Sequence, residues 1–265
     1  MTELTAHGID VSINGKPILE DIGFTVGSGG LMGLIGPNGA GKSTLIRALA
    51  RLQQMVRGTV SIDGKSIADL PRKELARRIA YLPQGHTVHW PLDVYHLVAL
   101  GRLPHLSPLA RVSARDDAAI MSAMERADVT RFADRTVTTL SGGERARVML
   151  ARALAVETPI LLADEPVASL DPFHQLQVME LLRGIAEDGR LVIAVLHDLP
   201  LAARFCRRLL LMEGGRLVAD GTPEAVLAQN HLRDAYAIEG IHGAEQGEHF
   251  VLPWRRLGHN GARIG

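Results

Sequence analysis

The chain has 265 residues, 46% of them hydrophobic, with 29 basic side chains matched by 29 acidic ones. That length is enough to bury a substantial core, and the zero formal charge provides no global field to draw nucleic acid or anionic lipid. No apolar run approaches the ~20 residues that cross a bilayer, the first six residues lack the basic and apolar regions of a secretion signal, and one cysteine, Cys206, excludes an intrachain disulfide and suits a reducing cytoplasm.

The chain opens on β structure, with Val11-Ser12-Ile13 and Gly58 to Ile62 reading as strands on either side of an apolar run, Leu31-Met32-Gly33-Leu34-Ile35, that reads as a buried strand. Gly36-Pro37-Asn38-Gly39-Ala40-Gly41-Lys42-Ser43-Thr44 follows at once and fits the spacing G-x-x-x-x-G-K-[ST]. In such a loop backbone N–H groups wrap phosphates, the lysine neutralises them and the serine hydroxyl ligates Mg²⁺. Lys42 is therefore assigned to the β- and γ-phosphates of a nucleotide and Ser43 to the ion. Ser43 to Ala50 reads as the helix whose N-terminus attracts the anion. The competing reading, a glycine-rich turn that binds nothing, leaves the coincidence of strand, glycines, lysine and helix without a cause.

Beyond Gln84 the pattern turns helical, at Leu92 to Leu100 and Ser113 to Ala127, separated by Pro104-His105-Leu106-Ser107-Pro108. His86, His89, His96 and His105 crowd this region, but their spacing matches no compact ligand motif, and no structural metal is expected there. Leu140-Ser141-Gly142-Gly143-Glu144 then starts a helix reaching Leu154, with Ser141 as its cap and its free amides as a second anion site. Taken alone, that string reads equally well as an ordinary capped helix.

The apolar stretch before Ala163 reads as a strand ending in two adjacent carboxylates, Asp164 and Glu165, a costly pairing unless a cation or a reacting water uses them. Asp164 suits support of the magnesium through its ligands, and Glu165 suits orienting and polarising the water that attacks a γ-phosphate. The bland counterpart is a strand end carrying two solvated acids. Phe173 to Ile185 reads as a helix, and the strand Leu191 to Leu196 delivers His197 at its carboxyl end, where ligands gather in open parallel sheets. A histidine there is placed to touch the γ-phosphate; by itself it also reads as a hydrogen-bonded structural residue. Leu209 to Met212 and Arg216 to Ala219 form strands around the turn Glu213-Gly214-Gly215, and Cys206 reads as a buried helix residue. From Asn230 the chain reads as an irregular, glycine-rich tail, with Trp254-Arg255-Arg256 in a loosely packed terminus rather than a docking contact.

Six ordered motifs resemble those of the ATP-binding subunit of an ABC transporter, and the resemblance covers Leu4 to about Leu227. They are the Walker A loop, the Q-loop at Gln84 in Tyr81-Leu82-Pro83-Gln84, the LSGGE signature, the Walker B strand, the D-loop Ser169-Leu170-Asp171 and the switch histidine His197. The resemblance implies an α/β fold: a P-loop NTPase (RecA-like) core with an N-terminal antiparallel β portion and an inserted all-helical subdomain. Residues 1–87 and 156–228 would form the catalytic core, 88–155 the helical subdomain, and 229–265 a tail of unknown role. It implies ATP and Mg²⁺ as ligands, with Gln84 a further metal contact and a member of the catalytic group alongside Glu165 and His197. It also implies a head-to-tail homodimer, in which ATP on the loop Gly36–Thr44 of one copy meets Ser141, Gly142 and Gly143 of the other, with Asp171 beside them. Two integral-membrane permease subunits and, indirectly, a substrate-binding protein would complete the assembly at the cytoplasmic face of the cell membrane; no nucleic acid is expected.

Within the family, Val98 to His105 and Leu170 to Leu176 resemble importers of iron-siderophore complexes, haem and cobalamin. An importer ATPase for another cargo remains open, as does a non-transport relative acting on nucleic acid or ribosomes, although the coiled coil or second nucleotide domain of those branches is missing. The chain departs from the family pattern at Ile13, where an aromatic residue usually stacks on adenine, and at Gly30, Ala146 and Val167, where glutamate, glutamine and threonine are frequent. None of these departures is expected to abolish hydrolysis.

Overall fold

The computed structural model describes residues 1–85, 90–107 and 112–258; His86, His89 and Pro108 lie outside them. Alternation of apolar and polar residues builds the first sheet. β1 (Glu3–Ile13) and β2 (Lys16–Gly27) pair antiparallel, and Leu4, Val11, Leu19 and Ile22 point inward while Ser12 and Lys16 face solvent. β3 (Leu31–Ile35) leads through the glycine loop into α1 (Lys42–Leu49). β4 (Arg57–Ile62) and the two-residue β5 (Lys65–Ser66) complete the antiparallel sheet in the order β2-β1-β4-β5, and α2 (Arg72–Ala76) leads into β6 (Ile79–Leu82).

Three helices follow, α3 (Val94–Ala99), α4 (Ala114–Arg126) and α5 (Gly142–Leu154), each with an apolar face turned to the other two. The chain then returns to the large sheet with β7 (Ile160–Asp164), α6 (Pro172–Glu187), β8 (Leu191–Val195), α7 (Leu199–Phe205), β9 (Arg208–Glu213) and β10 (Arg216–Gly221). This six-stranded sheet has the order β10-β9-β3-β8-β7-β6, parallel except at the β9–β10 edge. Every residue of β3, β7 and β8 is buried, because both faces are covered, which explains why these strands are continuous apolar runs. Ile160, Leu162, Ile193 and Val195 pack into a core shared with the antiparallel sheet and α1; Leu161, Ala163, Val192 and Ala194 pack into a second core shared with α3 to α7. The topology brings the carboxyl ends of β3, β7 and β8 side by side.

The C-terminal segment differs from the sequence expectation. After α8 (Pro223–Val226), residues 229–256 form α9 (Gln229–Tyr236) and a hairpin of β11 (Ile238–Glu245) and β12 (Glu248–Arg256), which packs on α7. The glycines that read as looseness serve packing: a β-carbon on Gly240 would lie 2.7 Å from Leu232 Cδ1. Gln246 and Gly247 close the hairpin with φ of 53° and 82°, the positive pair a tight two-residue turn needs. Val251 and Leu257 are buried, Glu248 is held by Arg183 and Arg204, and Trp254 stays 62% exposed. Cys206 is buried but sits one residue past the end of α7, in extended backbone, and burial pushes its thiol pKa up.

Candidate active site

The loop Gly36–Thr44 is shaped by its backbone. Gly41 caps α1 with φ of 97°, a conformation that costs L-residues dearly, and it aims the first amides of the helix into a cleft of about 280 Å³. Asn38, Gly39, Lys42, Ser43 and Thr44 line that cleft from the loop, Glu165 and His197 from the ends of β7 and β8, and Ile18 from β2. Lys42 is 5% exposed, and its Nζ donates to the carbonyls of Gly36 at 2.7 Å and Pro37 at 2.9 Å. Burial pushes the Lys42 pKa down, opposed by the negative charges of Glu165 and Asp164.

Asp164 is wholly buried and held on both oxygens. Ser43 Oγ donates to Oδ1 at 2.8 Å, the Tyr81 hydroxyl donates to Oδ2 at 3.1 Å, and the Arg47 guanidinium stands 3.6 Å from Oδ2. Burial raises the Tyr81 pKa, so the phenol stays a proton donor. Glu165 comes next, with φ of 52°, a left-handed backbone that swings its carboxylate away from the strand and into the cleft. Gln84 Nε2 donates to its Oε2 at 2.8 Å, and His197 Nε2 lies 2.7 Å from its Oε1. The structure thus brings together the loop Gly36–Thr44, Gln84, Asp164, Glu165 and His197.

It does not bring Ser141, Gly142, Gly143, Asp171 or Ile13 to the same cleft. Ser141 caps α5 in a reciprocal box: the Glu144 amide donates to Ser141 Oγ at 3.3 Å and the Ser141 amide to Glu144 Oε2 at 2.8 Å. That amide holds the Glu144 carboxyl below its ordinary range. Ser141 and Gly142 are exposed, so the helix presents its N-terminus outward. Asp171 caps α6, taking the His174 amide at 3.0 Å, which is the main cause of its lowered pKa, and the His174 ring at 2.8 Å. Ile13 sits 40% exposed at the tip of β1, while Ile18 flanks the loop in its place.

The donors around Ser43 suit Mg²⁺, a hard ion that takes oxygen ligands and keeps several from water and phosphate. A hydroxyl and a buried carboxylate 2.8 Å apart provide that chemistry, and among the described residues no group of three or more His, Cys, Asp or Glu forms an all-protein cage instead. A larger recess of about 500 Å³ beside Arg207 and Arg208 lies apart from all these groups.

Sequence reasoning missed several residues that shape the site. Tyr81 lies in the string that flagged Gln84, yet its bond to Asp164 spans 83 positions and has no local signature. Arg102, 2% exposed, donates to Asp116 Oδ1 at 3.0 Å and to Ala155 O and Glu157 Oε2 at 2.7 Å each, which clamps the turn between α5 and β7. His105 Nε2 stands 2.8 Å from Val156 O in the same turn, and His96 Nδ1 pairs with Asp93 at 2.8 Å. The string Gly101-Arg102-Leu103-Pro104-His105, which marked a family class, is therefore a mechanical clamp.

A family model described as ABC transporter matches residues 19–168. The chain is 45% identical over 256 residues to the hemin import ATP-binding protein HmuV of Rhodococcus jostii, which covers 95% of this chain and 86% of that one. It is 44% identical over 234 residues to the cobalamin import ATP-binding protein BtuD of Halobacterium salinarum, which covers 88% of this chain but 58% of the relative. Among solved structures, the ATP-binding cassette MJ0796, a dimer in a post-hydrolysis state with ADP and phosphate, superposes with a TM-score of 0.71 at 27% identity, covering 83% of this chain and 98% of that one.

Proposed function

From the premise that the chain belongs to the ABC transporter family, as an ATP-hydrolysing import subunit, we propose that two copies sandwich two ATP molecules, each between the loop Gly36–Thr44 of one copy and Ser141, Gly142 and Gly143 of the other. The observation that carries this reading is the division of labour on one chain: Lys42, Ser43, Asp164, Glu165, Gln84 and His197 converge on a cleft, while a second capped helix N-terminus faces away from it with Ser141 and Gly142 exposed. Each half lacks what the other copy supplies.

In this reading Lys42 and the amides at the start of α1 neutralise the β- and γ-phosphates. Ser43 and Gln84 would hold Mg²⁺, with Asp164 steadying Ser43 through their hydrogen bond, and the bound ion would supply compensation for the negative charge of the phosphates. Glu165 takes a hydrogen bond from the attacking water, and Gln84 and His197 hold its carboxylate in line until the nucleotide draws them to the phosphate. Loss of the γ-phosphate removes the charge that both helix N-termini share, so the pair opens.

Residues 1–87 and 156–228 act as the catalytic core and 88–155 as the helical subdomain that conveys closure to two permease subunits. Among the described residues no helix is long and apolar enough to cross a membrane; in this reading the chain attaches through those subunits at the cytoplasmic face. The relatives named for hemin and cobalamin import support a bulky metal chelate as cargo, with iron-siderophore complexes in the same class, delivered by a substrate-binding protein. The test is to purify the chain with its membrane partner, reconstitute both in lipid and measure ATPase activity with haem, cobalamin and ferric siderophores. Stimulation by one of them is expected; stimulation by a peptide or sugar alone would contradict the cargo class.

A further inference from the structure

His174 is the first residue after Phe173 in α6, outside the cleft, yet it touches both the signature helix and the D-loop residue Asp171, which the family resemblance places together against the partner's nucleotide. Its amide and Nδ1 bind the two oxygens of Asp171, at 3.0 and 2.8 Å, which fixes the ring against the D-loop. The other edge of the ring lies on the signature helix: a β-carbon built on Gly143 would fall 2.2 Å from Cδ2, 2.4 Å from Cγ and 2.7 Å from Nε2. No residue but glycine leaves room for the imidazole there. Phe173 stands edge-on to it, with ring centroids 5.4 Å apart. One turn further along each helix, Arg147 Nη1 donates to Gln177 Oε1 at 2.7 Å, so α5 and α6 are joined at a second point.

We propose that His174 is a positioning residue that locks the D-loop to the signature helix, so that Asp171 and Ser141 reach the partner's ATP as one rigid unit. This rests on the sandwich reading. A triphosphate held between two molecules demands that several groups of the second arrive at fixed spacing, and ordering two independent loops would subtract from the attraction. The ring does that ordering in the free chain, in advance of the partner. It also gives the second signature glycine a steric duty beyond exposing its backbone amide.

The test uses the full chain in an E165Q background, which is expected to hold the ATP-bound pair closed. ATP is titrated while dimer formation is followed by sedimentation, and binding to the monomer is read separately with a fluorescent ATP analogue. H174A is expected to need about tenfold more ATP to dimerise, with monomer binding unchanged. H174N, which keeps an N–H toward Asp171, is expected to recover part of the difference, and it serves as the readout if H174A folds poorly. In a double-mutant cycle, G143A is expected to cost much less in the H174A chain than alone, because its methyl group then meets no ring. Equal dimerisation of H174A and its parent, a parallel fall in monomer ATP affinity, or strict additivity of G143A and H174A overturns the proposal. An E165Q chain that never dimerises overturns the sandwich reading and this inference with it, whereas dimerising E165Q with an indifferent H174A overturns this inference alone.

Discussion

Glu165 occupies a left-handed backbone position that a glutamate adopts at a cost of about 1 kcal/mol or more, and a hydrogen bond from Gln84 and contact with His197 hold it there. The conformation places a carboxylate at the mouth of the cleft, beside Gln84 and His197. Glu165→Gln keeps the shape and the hydrogen bond accepted from Gln84 but removes the basicity; turnover should fall by roughly a thousandfold with ATP binding retained, as single-turnover assays can read. Lys42→Ala removes the buried cation, and ATP affinity itself should fall at least about tenfold in an equilibrium titration. Tyr81→Phe deletes the phenol that steadies Asp164, so half-maximal activity should require several-fold more Mg²⁺, with Mg²⁺-free nucleotide binding unchanged. At this scale the sequence spoke clearly wherever chemistry demands fixed local spacing, as at Lys42, Ser43 and Glu165. It was silent on Tyr81 and His174, whose partners are set by folding rather than by neighbours in the chain.

Among the elements, the clamp around Arg102 ties α4 and the turn before β7 together across the helical region. Its three acceptors, Asp116, Glu157 and the Ala155 carbonyl, would be left around a void in Arg102→Ala, and the cost should be about 3 kcal/mol in denaturant unfolding. Asp116 also closes the capping box of α4: the Ser113 hydroxyl first, then the Ser113 amide and Arg102, hold its carboxyl down to about 2 from the ordinary 3.8. A depressed acid contributes fully above its unfolded pKa and loses that contribution as the folded form protonates. Stability from this site should therefore be constant above about pH 4 and fall between pH 4 and 2, and Asp116→Asn should flatten that part of an acid titration. Helices α3 to α6 and the strands β3, β7, β8, β9 and β10 were legible because their apolar patterns are plain, whereas the four-residue β6 was not read as a strand. The β11–β12 hairpin was not, since its glycines resemble linker composition until Leu232 is seen filling the space beside Gly240.

For the molecule as a whole, the two helix N-termini are complementary but never meet within one chain: α1 opens into the cleft, and α5 opens to solvent at Ser141. That geometry makes sense of a nucleotide site distributed between copies, an arrangement the family resemblance implies and the outward cap of α5 supports. The measurement that reaches this claim most directly mixes two variants, each unable to build a complete site alone. Lys42→Ala spoils the loop and leaves the signature, and Ser141→Arg spoils the signature and leaves the loop. Separately, neither should occlude ATP; mixed, they should form pairs holding one occluded ATP per two chains, because one intact loop then faces one intact signature. A mixture that occludes no more ATP than the separate proteins, or a Ser141→Arg chain that occludes ATP unaided, would contradict the shared site.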